Sequence, residues 1–213
     1  MHRSAIGFLG VVALLSAGAA RAEENGAAPS SEASTDSTIA PETVFPIPGT
    51  ERADPHFADG KFGAFRPGRA ARHDCGRGHC GIDLIASVGT PVVAVKSGLI
   101  AQIDNSSTGE GGRWIRVAHE DGTCTWYMHL AHVRKGLIVG TPVNAGTQIA
   151  TLGRTGVVSS PTHLHFALTV GKPGKEKHLN PAKFLAASQL IATPLDPEPA
   201  PAPKVRRSSR PEL

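Results

Sequence analysis

The chain has 213 residues, 40% of them hydrophobic, and a formal net charge of +4. That length allows one domain with appendages or two small ones, and 24 Gly with 17 Pro argue against a helix bundle. Aromatic residues at 5% speak against a base-stacking nucleic-acid binder, and the charge is too mild for a polyanion-binding domain.

Taken in chain order, residues 1–22 read as a secretory signal. Arg3 supplies the positive start, Ile6 to Ala20 an apolar run, and Ala20-Arg21-Ala22 a small-x-small cleavage site. The run falls short of the about 20 apolar residues that span a bilayer, so no stable membrane anchor is expected after cleavage. No cysteine precedes Cys75, which excludes lipidation of a new N-terminal cysteine. Cleavage removes Arg3 and Arg21 and no acid, so the charge of +4 falls by two. Residues 23–58 predict a disordered spacer rich in Ala, Ser, Thr, Glu and Pro near its start. The domain is expected over 59–191, beginning with an irregular lead-in that includes Arg66-Pro67-Gly68-Arg69, and its core over 79–170.

From Gly81 short β-branched runs alternate with Gly and Pro turns. Strands are predicted at Pro91–Val95, Leu99–Ile103, Trp114–His119, Thr123–His129, Val139–Val143, Gln148–Leu152 and Leu164–Val170. Glu120-Asp121-Gly122 marks a hairpin turn, because Gly accepts the positive φ the turn needs. No helical pattern of 10–15 residues intervenes, so parallel βαβ units are excluded. The predicted fold class is all-β, a compact antiparallel domain. Asn180-Pro181 opens a short C-terminal helix with Asn at the N-cap. Residues 192–213 form a Pro-rich tail carrying Lys204, Arg206, Arg207 and Arg210.

Three cysteines in an exported chain predict one disulfide and one spare thiol. Cys75–Cys80, Cys75–Cys124 and Cys80–Cys124 are all open pairings. Histidines carry more information. His2, His56, His73, His132 and His178 fall outside any constellation and read as exposed or capping residues, and His119 as structural or rim-lining. In His163-Leu164-His165, residues two apart on a strand share a face with Cα atoms roughly 6.5 Å apart, so both imidazoles can reach one cavity. A bend at Gly81 would turn His79 and Asp83 toward that cavity. Two histidines and one carboxylate match the three protein ligands of a catalytic zinc site, which keeps one position open. His129, at the end of a strand, adds another imidazole.

These segments resemble the lysostaphin-type, or LytM-type, zinc endopeptidases. His79-x3-Asp83, Tyr127-x-His129-Leu130 and His163-Leu164-His165-Phe166 stand in that family's order and approximate spacing. Gly89-Thr90-Pro91-Val92, Gly98, Gly140-x2-Val143, Gly146-x2-Ile149 and Gly153-x-Thr155-Gly156 fit between them. The resemblance implies an antiparallel β groove with Zn2+ at its floor, held by His79, Asp83 and His165. It implies His129 and His163 as the catalytic pair, and peptidoglycan peptides as substrate. Three departures stand out: Ala167 replaces a usual Glu, Arg113 stands where Asn is common and would alter substrate contacts, and the loop Gly156–His163 is one residue longer.

The activity so implied is amide hydrolysis by water activated at zinc, with one of His129 and His163 stabilising the oxyanion and the other moving protons. The rival from another class is a non-catalytic wall-binding or amidase-activating module on the same fold. Family members of that kind typically lack the metal ligands, whereas all five site residues are present here. The signal and the cysteines favour a periplasmic or secreted D,D-endopeptidase over a polyglycine-cutting one. No nucleic-acid partner is expected, and protein partners are not readable from the chain.

Overall fold

The computed structural model describes residues 42–49, 60–67, 71, 73–172 and 174–195. The signal peptide expected at 1–22 and the basic end of the tail lie outside the described residues. The elements are β1 (Ile82–Ile85), β2 (Pro91–Val93), β3 (Gly98–Asp104), β4 (Trp114–Ala118), β5 (Thr123–Met128), β6 (Leu130–Val133), β7 (Pro142–Val143), β8 (Gln148–Leu152), β9 (His163–Val170), β10 (Lys177–Leu179) and α1 (Ala182–Ala187). Every paired strand is antiparallel to its neighbour. The all-β expectation holds.

Seven strands form one sheet in the order β1-β9-β5-β4-β3-β7, with β10 also on β9; β2-β8-β6 form a second sheet. β9 is the strand that organises the larger sheet. One of its edges pairs with β5 over Thr123–Met128, and the other pairs first with β1 and then with β10. Leu164 and Phe166 on β9 are fully buried with Leu84, Ile115, Tyr127, Leu130, Ile149 and Leu152. Alternation then sends His163 and His165 to the opposite face. Tyr127 is the one phenol in this core, and its hydroxyl accepts the Val95 N–H (2.9 Å) and the Thr125 hydroxyl (3.1 Å). A buried polar group is thereby satisfied, and burial pushes its pKa up.

The expected spacer needs correction. Val44, Phe45 and Ile47 are buried, and they belong to the domain. Val44 N–H donates to Val95, Phe45 N–H to Gln189, and Pro46 O receives the Val93 N–H. The surrounding Ala/Ser-rich composition masks three large apolar side chains, each worth about 1.5–3 kcal/mol when buried. The sheet reading also erred in detail. Only Pro142–Val143 of the expected Val139–Val143 strand pairs, because Gly140 at φ +90° closes a turn, and β6 and β10 were not foreseen. At the helix the Ala182 N–H does donate to Asn180 Oδ1 (3.0 Å), one residue ahead of the assigned cap at Pro181. Gly122 has φ +78°, as the hairpin turn required.

Candidate metal centre

The pairing of β1 with β9 puts Asp83 directly opposite His165, and directly opposite residues in an antiparallel pair project to the same face. His79 arrives from the loop before β1. Its N–H donates to Ala64, its carbonyl accepts from Gly63, and the Cys75–Cys80 disulfide closes the loop around it. Sequence left the cysteine pairing open; the structure joins Cys75 to Cys80 and buries Cys124 as a free thiol.

His79 Nε2, Asp83 Oδ1 and His165 Nδ1 lie 2.9–3.1 Å from one another. A tetrahedral zinc with ligand bonds of about 2.0–2.1 Å needs donor separations of roughly 3.3 Å. The three atoms are therefore within a few tenths of an ångström of a metal-ready triangle. His79 Nδ1 faces the Lys61 carbonyl (3.1 Å). A carbonyl only accepts, so Nδ1 carries the proton and Nε2 is left with the lone pair a metal requires. Burial by itself would raise the Asp83 pKa, but its hydrogen bond with His165 and its interaction with the adjacent His79 ring hold it well below the usual carboxylate range. Burial pushes the His165 pKa down. A carboxylate that stays ionised and an imidazole that stays neutral are the protonation states of ligands.

His129 and His163 stand beside this triangle. Their rings meet edge to face with centroids 4.7 Å apart, and His163 Nε2 is 3.6 Å from Asp83 Oδ1. His163 Nδ1 donates to the Pro161 carbonyl (2.8 Å) and His129 Nδ1 to the Thr155 carbonyl (2.9 Å). Each neutral ring therefore keeps Nε2 unprotonated. Desolvation lowers the His129 pKa to about 4, and the Thr155 bond only partly opposes it. All five predicted site residues are brought together, lining a cavity of about 560 Å³.

Sequence reasoning missed several contributors. Arg66 donates to Asp83 Oδ2 at 2.9 Å, so the lead-in holds the outer oxygen of the carboxylate. Gly60 O accepts the Asp83 N–H, and no spacing motif announces either contact. His178, read as bland, lines the cavity while bonded to Asp74 (2.7 Å). Trp114, Trp126 and Met128 form a wall, with Ala167 paired to Trp126 where the usual Glu would stand. Arg113 does not touch the cavity as expected; its guanidinium turns to the Ala131 carbonyl. His119 is buried, bonded to Ser97 O and Thr125 Oγ1 at 2.9 Å each, and is structural.

The family model described as peptidase family M23 matches residues 77–181. Lysostaphin of Staphylococcus simulans is 37% identical over 111 residues, which cover 52% of this chain and 22% of that protein. Its solved catalytic domain is 34% identical, with 60% of this chain and 90% of that domain covered and a TM-score of 0.49. The peptidoglycan DD-endopeptidase ShyC of Vibrio cholerae is 35% identical over 94 residues, 44% of this chain and 21% of that protein. A solved Ruminococcus gnavus LytM structure is 23% identical at a TM-score of 0.54, covering 72% of this chain and 64% of that one, a likeness of fold alone. The matched segments span about a fifth of the curated relatives' length.

Proposed function

The chain belongs to peptidase family M23, and on that premise we propose that it is an exported zinc endopeptidase that hydrolyses peptide cross-links of bacterial peptidoglycan. The observation that carries the proposal is the donor triangle of His79, Asp83 and His165, 2.9–3.1 Å on each side, with two further imidazoles beside it. His79 Nε2, Asp83 Oδ1 and His165 Nδ1 would hold the zinc. When bound, zinc supplies Lewis acidity, which polarises an amide carbonyl and makes water nucleophilic near neutral pH.

The remaining work falls to this chain's side chains. With Nδ1–H committed to a backbone carbonyl, His129 and His163 can each accept a proton at Nε2 from the attacking water. Once protonated, the same nitrogen becomes a donor to the developing oxyanion or the leaving amine. Two rings in edge contact let one accept while the other donates. Burial keeps His129 neutral near pH 7, so its Nε2 presents a lone pair to the cavity. The Trp114 and Trp126 rings, 5.0 Å apart, give the substrate chain an apolar wall.

Cleavage of D,D cross-links in the periplasm is the specific activity proposed, supported by the likeness to ShyC and by the predicted signal and disulfide. The test combines elemental analysis with digestion of purified walls of direct and polyglycine cross-link chemistry. Stoichiometric zinc and release of D,D-cleaved fragments are expected. A metal-free protein that leaves both walls intact sinks the proposal; release of glycine-bridge fragments alone overturns the D,D assignment.

A further inference from the structure

Among the described residues, His129 is the one non-glycine with a positive φ, +65°. A side chain in the left-handed region is strained, and the conformation is sustained only where the surroundings over-determine the position. Three bonds do so. The His129 N–H donates to Gly111 O (3.0 Å), its carbonyl accepts from Gly153 N–H (2.9 Å), and its Nδ1–H donates to Thr155 O (2.9 Å). Thr155 is pinned in turn. Its hydroxyl donates to Leu130 O and accepts the Arg113 N–H, both at 2.9 Å. The loops interlock without spare room: a β-carbon on Gly112 would lie 2.2 Å from Thr155 O, and one on Gly156 would lie 2.4 Å from Gly109 O.

We propose that Thr155 is the positioning residue for His129. The Thr155 hydroxyl ties the residue that follows His129 to the segment that precedes β4, and so fixes the carbonyl that receives Nδ1–H. That carbonyl selects the tautomer with Nε2 unprotonated and holds the ring against the cavity. The inference rests on the proton-transfer role proposed for His129. Orientation errors near 1 Å at a reacting group cost about 10²-fold in rate, so loss of the hydroxyl should act on turnover more than on substrate binding.

The test uses the full chain with Thr155→Val, which keeps the volume and removes the hydroxyl, Thr155→Ser, which keeps the hydroxyl, and each in a His129→Ala background. Thr155→Val should lower kcat by about 10–100-fold with KM and bound zinc near wild type, and Thr155→Ser should restore most of it. In the His129→Ala background Thr155→Val should add almost no further loss. Ring 15N shifts should report His129 protonated at Nδ1 in the wild type and a tautomer mixture in Thr155→Val. If Thr155→Val does not fold, Thr155→Ala takes its place in every comparison. An unchanged kcat and tautomer in Thr155→Val, with His129→Ala inactive, overturns the positioning role alone. Full turnover by His129→Ala overturns the reading of His129 and this inference with it.

Discussion

Gly81 is the position where a single methyl group should separate fold from metal binding. A β-carbon there would sit 2.5 Å from the Phe166 carbonyl oxygen and 2.8 Å from both Cε1 and Nε2 of His165. Ordinary carbon–oxygen contacts begin near about 3.3 Å, so Gly81→Ala demands a displacement of roughly 0.8 Å. The carbonyl cannot yield cheaply, because Phe166 is paired with Ile82 in the β1–β9 ladder. The His165 ring, one corner of the donor triangle, must yield as well, by roughly 0.6 Å, to relieve its own 2.8 Å contacts. Metal–ligand distances tolerate only about 0.2 Å, so zinc affinity should fall at least about 10-fold and turnover about 10²-fold. The assay measures retained zinc after dialysis against a weak chelator, wall-digestion rate and the chelated protein's urea midpoint. A folded Gly81→Ala protein with wild-type zinc retention would refute the geometric argument.

Further outcomes separate the roles within the site. His165→Ala should abolish stoichiometric zinc, whereas His129→Ala should keep zinc in elemental analysis and lose about 10²–10⁴-fold in turnover. The chelated protein should lose stability in mild acid. His129 and His119 have depressed pKa values in the fold, so the unfolded chain binds more protons below about pH 6.5 and stability falls as pH drops from there toward 4. His129 alone, lowered from 6.5 to about 4, contributes about 3 kcal/mol of that loss; equal urea midpoints at pH 7.5 and pH 5 would contradict it. Phe45→Ala should cost about 3–5 kcal/mol by urea unfolding, since its ring is 2% exposed. A dispensable spacer would show no loss.

The hairpin at Gly122, the strand β8 and the shared face of His163 and His165 were legible because each depends on neighbours two to four residues apart. Period-2 alternation is a local property, and the turn needs only a residue tolerant of positive φ. The buried strap at Val44, Phe45 and Ile47 was not legible. Its burial depends on Val95 and Gln189, and the composition around it looks like linker. His178 and Arg66 were missed for the same reason, since their partners Asp74 and Asp83 lie 104 and 17 residues away.

Sequence by itself determined the all-β class, and by resemblance to a family the five residues of the candidate site. Tertiary structure alone decided which atoms of those residues converge: Nε2 of His79, Oδ1 of Asp83 and Nδ1 of His165. It also decided which cysteines pair, and which carbonyls at Lys61, Thr155 and Pro161 hold three of the rings in one tautomer. The physical reason is that residue type fixes what a group can donate or accept, while its direction is set by hydrogen bonds to backbone distant in the chain.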